Sequence, residues 1–112
     1  MGTDAPSAGY WNELVDALRD FLEGRVGVTE GCRNIVDIAR AMGEWPDNDL
    51  FLPFVGFDSE TDTHPVGAVR ARWAPTALLR EDAERIRYEN LYRSELMSAA
   101  RALLEYADKH AL

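Results

Sequence analysis

From about Tyr10 to Glu23 the apolar residues Trp11, Leu14, Val15, Leu18, Phe21 and Leu22 recur at spacings of three and four, which places them on one face of an α-helix. Gly24 is placed to end that helix in a left-handed conformation. A second stripe, Cys32, Ile35, Val36, Ala39 and Met42, predicts another helix that stops at Gly43. Thr29 is suited to cap its start, and Glu30 to favour the helix dipole in the first turn. The link between them, Arg25 to Val28, is short, so the two helices are predicted to form an antiparallel hairpin.

The pattern then loses its period. Glu44 to Asp49 (EWPDND) is turn chemistry, and Leu50 to Phe57 is a dense apolar run that Pro53 bars from the middle of a sheet. It reads as buried extended chain or an edge strand. Val66 to Trp73 alternates, with Val69, Ala71 and Trp73 set against Ala68, Arg70 and Arg72, and would be its hairpin partner. From Pro75, placed for a first helical turn, no Gly or Pro interrupts the chain to Leu112. The apolar phase nevertheless changes, from Leu79, Ala83 and Ile86 to Leu96, Ala100, Leu103, Leu104 and Ala107. That predicts either a break near Tyr92 to Ser94 or one long helix packed on a second chain. Acid-before-base pairs at i,i+4 (Glu81/Arg85, Glu89/Arg93, Glu105/Lys109) add helix support.

The fold expectation is therefore mainly α. It is a small helical bundle with two N-terminal helices, one long or two shorter C-terminal helices, and an irregular β-like insert at about 50–73. Residues 1–9, small, polar and broken by Pro6, read as a flexible tail, and 10–112 as a single α-helical domain.

Charge narrows the function classes. The formal net charge is −8, and it is uneven: residues 1–66 hold 13 acids and 4 bases, residues 67–112 hold 7 acids and 8 bases. So acidic a front half repels phosphate backbones, which argues against nucleic acid as a partner. No apolar run approaches the roughly 20 residues that span a bilayer, and MGTDAPSAGY has neither a basic nor an apolar leader region. Cys32 is the only cysteine, so no intrachain disulfide forms. Its apolar helical neighbours make it a small buried hydrophobe. A cytoplasmic protein with no membrane partner is the reading that follows. Of the 12 basic residues only Lys109 is lysine, an imbalance typical of GC-rich bacterial coding sequences.

Chemistry concentrates in D-S-E-T-D-T-H. In extended chain Asp58, Glu60, Asp62 and His64 would share one side and could hold a divalent cation or move a proton, with Arg70 or Arg72 orienting an anionic substrate. A calcium loop is excluded, because Thr63 stands where the turn needs glycine and Val69 where a bidentate Glu belongs. A zinc centre lacks His and Cys ligands. The competing reading is structural: Asp58 and Asp62 bond backbone amides and pair with Arg70 or Arg72. The sequence assigns no catalytic residue, no metal and no cofactor.

A second stripe on the last helix, Tyr88, Leu91, Tyr92, Leu96, Ala99, Leu103 and Tyr106, is a candidate interface. A helix apolar on two faces is central in a bundle or buried against another subunit, so homodimerisation stands as one of two outcomes. The segment 52–73 resembles a stretch in a family of small uncharacterised bacterial proteins, through Phe54, Asp58, Ser59, Glu60, Thr61, Asp62, Pro65, Val66, Gly67, Val69, Arg70 and Trp73. The resemblance implies no activity. A non-enzymatic interaction protein with a protein partner, of inhibitor, adaptor or toxin-neutralising type, is the leading expectation. A small metal-dependent or acid–base enzyme using the loop is the alternative.

Overall fold

The apolar spacings of the first half become two helices in the structure, a computed structural model that describes residues 8–45 and 47–111. Helix α1 spans Ala8–Leu22 and α2 spans Val28–Ala41. Most of the tail expected at 1–9 lies outside the described residues, and Ala8 and Gly9 already belong to α1. Trp11, Leu14, Val15, Leu18 and Phe21 of α1 pack on Cys32, Ile35, Val36 and Ala39 of α2 within one core cluster. Gly24 and Gly43 follow the two helices at φ 75° and 76°, the left-handed stops expected of them. At the turn end of the hairpin a Cβ on Gly31 would lie 2.5 Å from Phe21 Cδ1, so the close approach of α2 to α1 requires glycine there. Thr29 is not the cap. Gly27 holds that position, and Thr29 is turned into the interior, where a buried carboxylate takes its hydroxyl.

The β-like insert is not present; among the described residues there is no strand. Asp49–Phe51 forms a 3-10 turn, started by Asn48, whose side-chain oxygen accepts from the Leu50 amide at 3.0 Å. It runs directly into α3, Leu52–Thr61. Pro53 sits in the first turn, where a missing N–H costs no hydrogen bond. Phe51, Phe54, Phe57 and Thr61 recur at helical spacing and all four are buried. The second expected strand is another 3-10 segment, Gly67–Arg72, entered through Gly67 at φ 71°.

Helix α4 spans Pro75–Asp108, 34 residues with no break near Tyr92 to Ser94, so of the two expected outcomes it is the single long helix. At 1.5 Å per residue it is about 51 Å long, and the molecule measures 52 × 28 × 23 Å. The bundle is thus as long as its last helix. α1 packs against α2 and α4, α2 against α3, and α3 against α4. Leu96, Ala100, Leu103 and Ala107 of α4 enter the core, whereas from Pro75 to Glu95 Glu89 is the one buried residue. The first half of α4 is therefore an arm, attached to the bundle mainly by polar contacts, with Tyr88 and Tyr92 as its aromatic ones. No helix among the described residues is long and apolar enough to cross a membrane.

Candidate functional site

The polar contacts under the arm form a belt that begins at the end of α3. The Thr61 hydroxyl bonds back to Phe57 O at 2.8 Å, and the chain turns so that the His64 amide donates to Thr61 O at 3.0 Å. Arg33 of α2 closes this end. Its guanidinium donates to Thr61 O at 2.6 Å, His64 O at 3.3 Å and Asp58 Oδ1 at 3.2 Å. Carbonyls at a helix C-terminus have no partner within the helix, and Arg33 supplies one. Asp58 thus pairs with Arg33, and not with Arg70 or Arg72 as the competing reading expected.

The His64 side chain is only 2% exposed, wedged beneath the arm. Its Nδ1 lies 3.0 Å from Glu81 Oε1 and its Nε2 3.4 Å from Glu84 Oε1. The second approach lacks hydrogen-bond geometry, so Nε2 is a buried nitrogen without a hydrogen-bond partner among the described residues. The Tyr88 ring stands 6.3 Å away.

Further along, Arg70 grips Asp82 with both terminal nitrogens, at 2.6 and 2.8 Å, and reaches Pro65 O at 3.2 Å. Arg85 bridges Asp82 at 3.4 Å and Glu89 at 2.8 Å. Glu89, buried, also accepts from the Thr29 amide at 3.2 Å and from its hydroxyl at 2.7 Å. The Arg70 hydrogen bonds, with the charges of Arg70 and Arg85, hold the Asp82 carboxyl down at about 2. Burial pushes the Cys32 thiol well above its ordinary range, and the carboxylates of Asp58 and Glu89 add to that. Cys32 is therefore a neutral core side chain rather than a nucleophile.

The four loop residues are not gathered on one side. Helical backbone through Thr61 turns successive alternate residues away from each other, by about 200° per pair of steps. Asp58 goes to Arg33, Glu60 faces a groove between α3 and α4, Asp62 is exposed, and His64 is enclosed. Arg70 joins the belt and Arg72 is exposed. Among the described residues no group of three or more His, Cys, Asp and Glu side chains is disposed to hold a metal ion. A carboxylate beside an imidazole is an arrangement that moves protons when substrate can reach it. His64 lines neither the α3–α4 groove nor the α1–α2 trough, and in this position it ties the turn after α3 to α4.

The candidate interface also divides. Leu96 is a core residue, and Tyr106 lies against Trp11 and His110, with ring centroids at 5.8 and 4.7 Å. Tyr88 is half-buried, while Leu91 and Tyr92 remain exposed. The expected Glu81/Arg85 and Glu89/Arg93 pairs give way to Glu81–His64 and Arg85–Glu89. Thr29, Arg33, Glu81, Asp82, Glu84, Arg85 and Glu89 all have roles that sequence reasoning did not assign. Asp82, Arg85 and Glu89 did leave a signal, because they share helical phase with Leu96, Ala100 and Leu103.

Two surface depressions flank the bundle. One, between α3 and α4, has a volume of about 260 Å³ and a mixed lining of apolar residues with Glu60 and Glu95. The other, between α1 and α2, is a trough of about 400 Å³ that Glu13, Asp16, Asp20 and Asp37 line together with Asn34. Comparison with known proteins finds no matching family model, no matching curated protein and no matching solved structure.

Proposed function

We propose that this chain is a non-enzymatic binding protein, of the adaptor, inhibitor or toxin-neutralising kind, whose acidic surface meets a basic partner. The observation that supports it is where acidic charge remains once the belt's ion pairs are set aside. Four carboxylates, Glu13, Asp16, Asp20 and Asp37, line the trough between α1 and α2, and none of the residues lining it is basic. Asp20 is paired with Arg25 at 2.8 Å. Such a field attracts cationic surfaces over several ångströms and speeds encounter at low salt. The alternative, an acid–base or metal-dependent enzyme using Asp58, Glu60, Asp62 and His64, draws no support from the geometry, since those side chains diverge.

The test is capture of partners from a bacterial lysate on immobilised protein, followed by elution with rising salt. Basic proteins that elute with salt are expected, and the Glu13→Gln/Asp16→Asn/Asp37→Asn variant should retain much less of them. Capture that is insensitive to both salt and the triple substitution would overturn the reading.

A further inference from the structure

The groove between α3 and α4 has a floor of Phe57 and Leu96, both core residues, and walls of Pro53 and Tyr92. The Tyr92 ring meets Phe57 edge-on, with centroids 6.2 Å apart, and is 36% exposed. Glu60 and Glu95 stand in its lining, and no residue lining it is basic. One helical turn before Gly56, Leu52 is 55% exposed.

Gly56 is an exposed residue in the lining of the groove. It lies inside α3, its φ is not positive, and a Cβ placed on it meets nothing within 4 Å. Neither backbone conformation nor packing calls for glycine there, and glycine within a helix is less stable than alanine. What its absent side chain leaves is open space between Phe57, Tyr92 and the two carboxylates. At about 260 Å³ the space falls below the roughly 300–1,000 Å³ of small-molecule sites, and suits one side chain of a larger partner.

We propose that this groove seats an arginine side chain from a basic amphipathic segment of another protein. The alkyl stem lies on Phe57 and Tyr92, the planar guanidinium bonds Glu60 and Glu95 and stacks on the Tyr92 ring, and a neighbouring apolar side chain covers Leu52. A second copy of the chain is the poorer occupant, because it brings a further net charge of −8. The proposal rests on the basic-partner reading above for the sign of the partner's charge, and on the groove for its place.

The test is a ¹H–¹⁵N NMR titration of the full chain with a synthetic amphipathic peptide of leucine and arginine, and with a leucine–glutamate peptide as control. The amides of Gly56, Phe57, Tyr92 and Glu95 are expected to shift with the arginine peptide and not with the control. Gly56→Leu, which fills the groove with a better helix former, should keep the wild-type melting temperature or raise it. It should also weaken binding about tenfold or more, the loss of an interface anchor. Glu60→Gln/Glu95→Gln should weaken binding and reduce its salt dependence. Shifts confined to the α1–α2 trough, with both groove variants binding as wild type, would overturn the groove while leaving the basic-partner function standing. No binding of the arginine peptide anywhere would overturn both. Groove resonances that move with protein concentration alone would identify a second copy as the occupant and overturn the proposal.

Discussion

In α4 the stripe that faces the bundle keeps one helical phase from Asp82, Arg85 and Glu89 into Leu96, Ala100, Leu103 and Ala107, yet its chemistry reverses between the two halves. The C-terminal half is held by burial of apolar surface, which is non-directional and tolerates small shifts of the helix. The arm is held by guanidinium–carboxylate bonds and by Glu89 on Thr29, which depend on geometry and leave a stranded charge when one partner goes. A continuous helix therefore need not be uniformly stable. Its backbone hydrogen bonds are the same throughout, and what differs is the cost of exposing the face beneath.

Substitutions on the two halves sharpen that contrast. The largest effect is expected from Leu103→Ala, which empties a fully buried site and should cost about 3 kcal/mol in urea unfolding. A loss below about 1 kcal/mol would mean that this half is not in the core. Glu89→Ala, which strands the Thr29 donors and leaves Arg85 with Asp82 alone, should cost about 2 kcal/mol, less than Leu103→Ala because Arg85 keeps that partner and can turn toward solvent.

A smaller, pH-dependent effect belongs to Arg70→Ala. The Asp82 carboxyl is lowered from 3.8 to about 2 in the fold, so its contribution is fully present above about pH 4 and lost as pH falls through about 2. Wild type should therefore lose stability across that window in acid unfolding, and Arg70→Ala should lose less of it. Equal slopes for the two proteins would show that the Arg70–Asp82 pair does not hold the arm. The smallest effect is expected from Leu79→Ala, at a residue 72% exposed, which should change stability by no more than about 0.5 kcal/mol.

The hairpin of α1 and α2 was legible because each helix has one apolar face and a glycine stop, and Trp11 and Cys32 lie in the core where the periodicity put them. α3 was not. LFLPFVGF is apolar on every side, so no period emerges, and Pro53, which reads as a bar to strand, is equally at home in a first helical turn. Once that stretch is helical, the alternation of Asp58, Glu60 and Asp62 no longer means a shared face. The unbroken α4 was one of two readings, and spacing did not choose between them. Before Leu96 apolar residues are a poor guide to the inward face, because most of that face is Asp82, Arg85 and Glu89, with Tyr88 packed beside them. Their partners could not be found from spacing either, since Thr29 is 60 residues from Glu89 and Arg33 is 25 from Asp58. The i,i+4 pairing of Glu89 runs back to Arg85 rather than on to Arg93, on the side of the helix where the buried Thr29 also bonds it.

Native-state hydrogen exchange along α4 at neutral pH tests the two-chemistry helix most directly. Amides of residues 96–107 are expected to exchange only through global unfolding, and those of 79–88 through a local opening of lower free energy. In Glu89→Ala the arm should exchange faster still, by more than the global loss of stability explains. Equal protection from 79 to 107, falling in parallel when Glu89 is removed, would contradict the distinction between the two halves.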